Sequence, residues 1–205
     1  MHLTFSIIEF LKTLIYVEID RNIAESTQTL YKGLYDYTEE KVMTELIKVF
    51  VYGTLKKGFA NHYLMQDGRN GVARFITIGH TKDVFPLVVG TDASIPFMLP
   101  VKNQGKQVHG EIYEVDKNVL SKLDDLEDHP TWYKRSKCDI VTTKGATGIQ
   151  EGDIVPCFAY FLTDFKASFL SQDFLNEYTL ECHQAYLESD KRSLPYDVKL
   201  QSQRK

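Results

Sequence analysis

Short apolar runs separated by turn-forming residues dominate the chain from Ile47 onward. Runs of β-branched and aromatic residues between Gly, Pro, Asn and Asp are typical of short strands. The predicted strands are Lys48–Tyr52, Ala73–His80, Leu87–Val89, Val108–Val115, Cys138–Thr142 and Cys157–Leu162. Proline interrupts the apolar runs at Phe85–Leu87 and Ile95–Phe97, which predicts turns or edge positions there. The close spacing favours a compact, largely antiparallel sheet or barrel over regular alternation of strands and helices.

Two helices are predicted among these strands. The first covers about Lys117–Leu126, where Asp116 is a suitable N-cap and Pro130 forces the chain out of helical conformation soon afterwards. The second is centred on Gln172–Tyr186. The chain after Arg192 is mostly polar, and we expect it to lie on the surface as an arm.

The first 47 residues differ in character from the rest. All six prolines and eleven of the twelve glycines come after residue 48. Apolar residues at helical spacing near the start are Ile7, Phe10, Leu11, Leu14 and Ile15. Glu9, Lys12 and Glu18 interrupt the linear run of apolar residues, so no apolar stretch approaches the roughly 20 residues that a membrane span needs. The segment is either a helix that docks on a partner or a membrane surface, or a dispensable extension.

The predicted organisation therefore has three parts. Residues 1–47 form a helical or disordered extension, residues 48–197 form one domain, and residues 198–205 form a polar tail.

Charge and cysteine content exclude several classes of protein. The net charge is −4 and no basic run is present, which argues against a nucleic-acid-binding surface. The three cysteines are widely spaced and lack a CxxC pair, so neither a disulfide framework nor a metal site is indicated. The histidines form no ligand-like cluster either. This composition suits a reducing, cytoplasmic compartment.

The first motif that can carry chemistry is Val49–Gly58, with the sequence VFVYGTLKKG. A buried strand runs directly into Gly53 and Thr54 and then into a basic turn. Glycine allows the backbone to approach a ligand closely, and the N–H groups that follow can converge on an anionic oxygen. The spacing does not match a Walker loop. An ordinary tight turn after a strand remains the alternative.

The second motif is the acidic end of the first predicted helix, Leu120–Pro130. At about 100° per residue, Glu127 falls between Leu120 and Leu123 within the apolar stripe of the helix. A carboxylate on an apolar face is costly to bury, so its pKa should rise, and such a group is a better general base near neutral pH. The alternative is a buried structural glutamate that is hydrogen-bonded to the backbone.

Taken together, these motifs resemble the gamma-glutamylcyclotransferase family. Within the family they most resemble the AIG2-like branch of gamma-glutamylaminecyclotransferases. The matching segments are Phe50–Gly58 with Asn61–His62, Pro86–Val88, Ile95–Pro96, Gly110–Tyr113, Leu123–Glu127, Tyr133–Arg135 and Cys157–Tyr160. The resemblance covers roughly residues 48–165 and does not extend to residues 1–47.

The resemblance implies an α+β fold, a small, mixed, mostly antiparallel β-barrel flanked by a few helices, with a cavity at one end. It implies that Tyr52, Gly53, Thr54 and Leu55 hold the substrate. The catalytic glutamate of the family corresponds to Glu127. The implied reaction converts a γ-glutamyl amine, such as γ-glutamyl-ε-lysine, to 5-oxoproline and a free amine, and it needs no cofactor or metal.

Two alternatives stay open at this point. The protein could act on γ-glutamyl α-amino acids, or it could be a non-catalytic binding module of the same fold. In either case we expect a small-molecule γ-glutamyl ligand, a monomer, no nucleic acid and no membrane span.

Overall fold

The computed structural model describes residues 26–30, 32, 46–186 and 195–203. The chain divides into two compact units, residues 1–45 and 46–205. In the first unit, residues 26–30 and 32 are helical; the apolar stripe predicted for residues 7–15 lies outside the described residues. Among the helices of the described ranges, none has the length and apolar character needed to cross a membrane.

Five of the seven strands found among the described residues of the second unit close into a barrel. The strands in chain order are β1 Ile47–Val51, β2 Ala73–Thr81, β3 Leu87–Gly90, β4 Ile95–Met98, β5 His109–Val115, β6 Tyr133–Thr142 and β7 Ile154–Leu162. The order around the barrel is β1-β5-β2-β6-β7. All neighbours are antiparallel except β1 and β7, which close the barrel through one parallel pairing, Val49 with Phe158. The predicted α+β fold built on a small, mostly antiparallel barrel is confirmed.

Strands β3 and β4 form a separate two-stranded antiparallel sheet. Pro96 lies within β4, and a two-stranded sheet consists only of edge strands, which accept proline. The expectation of a turn or edge position at Ile95–Phe97 is therefore met by an edge strand. The free side of β3 is used by a later segment, because the Leu175 N–H donates to the Leu87 carbonyl at 2.8 Å.

The helices are short apart from one. They are α1 Tyr63–Gln66, α2 Lys117–Leu126, a 3₁₀ helix at Ala167–Ser171, α3 Leu180–His183 and α4 Pro195–Ser202. Helix α2 has the bounds predicted for it, and the Asp116 side chain accepts from the Val119 N–H at 2.9 Å as its N-cap. The same carboxylate accepts from the Val72 N–H, which ties the helix to the start of β2.

The second predicted helix is wrong over most of its length. Within Gln172–Tyr186 only Leu180–His183 is helical. The stretch before it runs beside β3 and β5, where Leu175 bonds to β3 and the His109 N–H donates to the Asn176 carbonyl at 2.7 Å. These strands supply the hydrogen bonds that a helix would have supplied internally.

The end of the chain also differs from the predicted surface arm and polar tail. Helix α4 covers residues 195–202, and Val198 and Ser202 are buried. Ser202 accepts a hydrogen bond from the Trp132 indole at 3.0 Å. This helix therefore packs against the segment that follows α2.

Alternate residues of the barrel strands belong to two buried clusters. Val49 and Val51 of β1 pack in one cluster with the apolar face of α2, whereas Phe50 packs in the other with Ile112 and Ile140. Both faces of β1 are thus covered over Val49–Val51, which explains why these three residues are all apolar. The end of this doubly buried strand delivers the chain to the site.

Candidate active site

A pocket with a volume of about 90 Å³ lies at the end of β1. Its lining residues are Phe50, Val51, Tyr52, Gly53, Thr54, Leu55, Asn61, Ile95, Pro96, Leu126, Glu127, Trp132, Tyr133, Tyr160 and Tyr186. One water needs about 10–15 Å³ measured in this way, so the pocket has room for a small organic group rather than for a single solvent molecule. All five site residues predicted from the sequence lie in this lining.

The loop after β1 presents three backbone N–H groups in sequence. Among the described residues, the N–H groups of Gly53, Thr54 and Leu55 donate to no protein acceptor. Consecutive free N–H groups in a turn form a binding site for an anionic oxygen. The loop is held in place from its side, because the Asn61 amide donates to Thr54 Oγ1 at 2.9 Å and the Asn61 N–H donates to the Thr54 carbonyl at 3.0 Å.

Glycine is required at position 53 because of a close neighbour. A Cβ atom there would lie 2.7 Å from Pro96 Cγ, well inside van der Waals contact. The β3–β4 sheet therefore presses directly against the loop, and only a residue without a side chain fits between them.

The end of α2 places Glu127 in the same pocket. The helix stops in a Schellman motif: Asp128 has φ 47°, the His129 N–H donates to the Asp124 carbonyl at 2.9 Å, and the Asp128 N–H donates to the Asp125 carbonyl at 3.3 Å. Glu127 is the C-cap residue and keeps helical backbone angles. Its side chain consequently continues the apolar stripe of the helix, as the sequence predicts.

The Glu127 carboxyl group has no hydrogen bond or ion pair with any described residue. Burial, and secondly the negative charge of Asp124, raise the pKa of Glu127 from 4.5 to about 8. Residual exposure remains because the side chain lines an open pocket. An unpaired, partly desolvated carboxyl group of this kind can accept and return protons near neutral pH.

Asp124 is itself held by two neighbours. It accepts a hydrogen bond from the Tyr160 hydroxyl at 2.6 Å, and Arg135 Nε lies 3.2 Å from the same oxygen in an ion pair. Asp124 and Glu127 are three residues apart, which places them on neighbouring positions of one helix face. The network therefore fixes a negative charge beside the proton-accepting group.

The Tyr52 hydroxyl is fully hydrogen-bonded within the protein, unlike the N–H groups of the three residues that follow it. Its hydroxyl donates to the Tyr160 carbonyl at 2.8 Å and accepts from the Met98 N–H at 3.3 Å. Burial and then the charge of Glu127 raise the pKa of Tyr52 well above its usual value, so it remains a neutral phenol. With both hydrogen-bonding directions occupied, Tyr52 shapes the wall of the pocket.

Two aromatic lining residues lie outside the motifs that the sequence analysis recognises. Trp132 follows the Schellman motif, and Tyr186 lies beyond the recognised motifs. Single aromatic residues carry no periodic signal, so only the fold brings these two to the pocket. Tyr133 and Tyr160, which belong to two of the segments that match the family, line the pocket as well. In the described part of the chain, no group of three or more His, Cys, Asp or Glu residues could hold a metal ion.

Comparisons with known proteins agree on one family. A family model described as gamma-glutamyl cyclotransferase, AIG2-like, matches residues 49–180. A putative gamma-glutamylcyclotransferase of Drosophila melanogaster is 39% identical over 147 residues, which cover 72% of this chain and 89% of the relative. Gamma-glutamylaminecyclotransferase A of Danio rerio is 40% identical over 132 residues, covering 64% of this chain and 79% of the relative.

A solved structure supports the same assignment. The crystal structure of an AIG2-like protein from Mus musculus is similar with a TM-score of 0.62 and 37% sequence identity, and the match covers 67% of this chain and 90% of that protein. The matched family region contains the loop after β1 and the end of α2. The chain belongs to the AIG2-like gamma-glutamyl cyclotransferase family of enzymes.

Proposed function

We propose that this protein cyclises a γ-glutamyl amine, such as γ-glutamyl-ε-lysine, to 5-oxoproline and releases the free amine. The observation that carries the proposal is the pairing of two unsatisfied features in one pocket: the Glu127 carboxyl group and the free N–H groups of Gly53–Leu55. The names of relatives such as gamma-glutamylaminecyclotransferase A of Danio rerio favour an amine as the leaving group.

The proposed reaction is an intramolecular aminolysis. The α-nitrogen of the glutamyl group attacks its own γ-carbonyl carbon, a C–N bond closes the five-membered ring, and the C–N bond to the amine breaks. The α-nitrogen starts as an ammonium group and ends as a ring N–H, so two protons pass to the departing nitrogen, which leaves as an ammonium ion. Atoms and charge balance without water or an oxidant. Because both reacting groups belong to one molecule, holding a cyclisable conformer is the main task.

Glu127 is the proposed proton carrier. It takes a proton from the α-ammonium group, which is not nucleophilic while charged, and returns it to the departing amine. With a pKa of about 8, this carboxyl group is closer in pKa to an ammonium group than an ordinary glutamate is. The smaller difference in pKa eases proton transfer in both directions. The bound α-ammonium group in turn favours the ionised carboxylate.

The free N–H groups of Gly53, Thr54 and Leu55 are the proposed anion site. They would hold either the α-carboxylate of the substrate or the oxygen of the γ-carbonyl as it gains negative charge. Either role restrains the glutamyl group at one end while Glu127 acts on its nitrogen. Tyr52 and Leu55 contribute the wall that keeps this group folded.

The test measures 5-oxoproline and lysine released from γ-glutamyl-ε-lysine by the purified full chain. Glu127→Gln keeps the shape of the side chain and should lower kcat about 100- to 10,000-fold. Asp125→Asn removes a neighbouring carboxylate that is exposed on the same helix, and it should leave the rate unchanged. Release at the wild-type rate by Glu127→Gln would refute the role of Glu127.

A panel of substrates separates the proposal from the alternatives. Turnover of γ-glutamyl α-amino acids in preference to γ-glutamyl amines would assign the protein to the other branch of the family. Binding of 5-oxoproline without turnover of any member of the panel would identify a non-catalytic binding module.

A further inference from the structure

A segment beyond the matched family region contributes to the pocket. The family match ends at residue 180, yet Tyr186 lines the pocket together with Asn61 and Thr54. The Asn61 amide nitrogen carries two hydrogens; one is donated to Thr54 Oγ1 at 2.9 Å and the other to the Tyr186 hydroxyl at 3.0 Å. One side chain thus links the substrate loop to Tyr186, across 125 residues of sequence.

His183 holds Tyr186 in this position. The two rings are stacked, with centroids 4.8 Å apart and planes inclined by 22°. His183 Nε2 accepts from the Ala60 N–H at 3.3 Å, and Nδ1 lies 3.1 Å from the Tyr178 hydroxyl. A backbone N–H can only donate, so Nε2 carries no proton, Nδ1–H donates to Tyr178, and the Tyr178 hydroxyl donates to the Ser94 carbonyl at 3.0 Å.

The neutral histidine that this network requires is also favoured by its surroundings. Burial lowers the pKa of His183. The Phe59 ring packs against it, with ring centroids 5.1 Å apart. Residues 178–186 are therefore anchored to the loop that follows β1 by stacking and by satisfied hydrogen bonds, and Tyr186 is a fixed part of the pocket wall.

The position of Tyr186 in the pocket lining bears on how the departing amine, the part that differs between substrates, is bound. The γ-glutamyl group is common to all substrates of the proposed reaction, and its reacting atoms must lie near Glu127. The amine that leaves is the part that differs, and it must extend from a pocket of only about 90 Å³ toward solvent. Tyr186 lines the pocket and is only half-buried, so a molecule bound there can contact its aromatic side chain.

We propose that Tyr186 determines specificity by packing against the alkyl chain of the departing amine, which favours γ-glutamyl amides of long primary amines over those of short ones. The inference rests on the proposed function. Residues that merely support the fold would affect all substrates alike, so the ratio between substrates is the informative quantity.

The experiment compares γ-glutamyl-ε-lysine with γ-glutamyl-methylamide, which has almost no amine chain. Tyr186→Ala should lower kcat/KM for the lysine compound about tenfold, mainly through KM, and change that for the methylamide less than about twofold. Tyr186→Phe keeps the ring and should keep the wild-type ratio. Tyr186→Leu has an intermediate volume and should fall between the two.

Leu180→Ala is the matched control, because Leu180 is 61% exposed on the same segment and does not line this pocket. It should leave both substrates unaffected. An equal loss of kcat/KM for both substrates in Tyr186→Ala, or no loss for either, would overturn the inference while the proposed function stands. A wild-type protein that releases 5-oxoproline from neither substrate would overturn the proposed function and, with it, the inference.

Discussion

Replacing Glu127 by glutamine should stabilise the protein in a manner that depends on pH. The pKa of Glu127 is raised from 4.5 to about 8, first by burial and then by the charge of Asp124. Below pH 4.5 the carboxyl group is protonated in both the folded and the unfolded state, so it has no effect on their balance. As the pH rises, the unfolded state ionises first and is favoured, and this loss of stability is complete once the pH passes the folded-state pKa.

The size of the effect follows from the shift. Each pH unit within the window from 4.5 to about 8 costs about 1.4 kcal/mol of unfolding free energy, since only the unfolded state releases the proton. The penalty reaches about 3 kcal/mol at pH 7 and about 5 kcal/mol above pH 8. These are upper limits, because water in the pocket screens part of the charge. Glutamine keeps the shape of the side chain and carries no such penalty.

Urea unfolding monitored by the fluorescence of Trp132, the only tryptophan in the chain, measures the effect directly. The difference in unfolding free energy between Glu127→Gln and the wild type should grow steadily from pH 4.5 to pH 8 and then level off. Asp125→Asn removes an exposed carboxylate from the same helix, and its difference from the wild type should stay flat. A flat difference for Glu127→Gln as well would refute the raised pKa.

Three further variants probe the surroundings of the site. Asp124→Asn removes the second cause of the raised pKa of Glu127, so the acid limb of kcat/KM against pH should move from about 8 to a lower value that still exceeds 4.5. Gly53→Ala places a Cβ atom 2.7 Å from Pro96 Cγ, which displaces the loop, and KM should rise about tenfold in substrate titrations. Ser202→Ala leaves a buried indole N–H without its acceptor, and urea unfolding should show a loss of about 1–3 kcal/mol.

Each of these three predictions has a control variant or an outcome that would contradict it. Tyr160→Phe removes the hydrogen bond to Asp124 but leaves its charge, so the acid limb should not move; equal displacement in both variants would contradict an electrostatic cause. Gly68→Ala adds a methyl group where nothing lies within 4 Å, and it should be silent in the same KM measurements. An unchanged urea midpoint for Ser202→Ala would show that water replaces the lost acceptor.

Local signals in the sequence account for α2 and for the position of Glu127. The N-cap Asp116 and the nearby Pro130 act over a few residues, so the bounds Lys117–Leu126 are predicted correctly. The helical period then places Glu127 on the apolar face. The structure adds the cause of its fixed direction, the left-handed Asp128 that ends the helix.

Features that depend on contacts with residues far away in the sequence cannot be predicted from local patterns. The sequence analysis predicts a helix over Gln172–Tyr186, but the open side of β3 pairs with Leu175 and keeps the chain extended there. Tyr186 reaches the pocket only through its contacts with Asn61 and His183. Helix α4 had one usable signal, Pro195 at its first position, where proline is favoured.

The single parallel pairing between β1 and β7 has a consequence for ligand binding. Elsewhere the barrel is joined by antiparallel ladders of three to nine residue pairs, whereas this seam combines the Val49–Phe158 pairing with the bond from the Tyr52 hydroxyl to the Tyr160 carbonyl. Both tyrosines line the pocket, so a bound molecule that touches both bridges the seam. By mass action, occupancy of the pocket and closure of the barrel are then linked equilibria. A bound ligand stabilises the junction between β1 and β7, which has the fewest backbone pairings in the barrel.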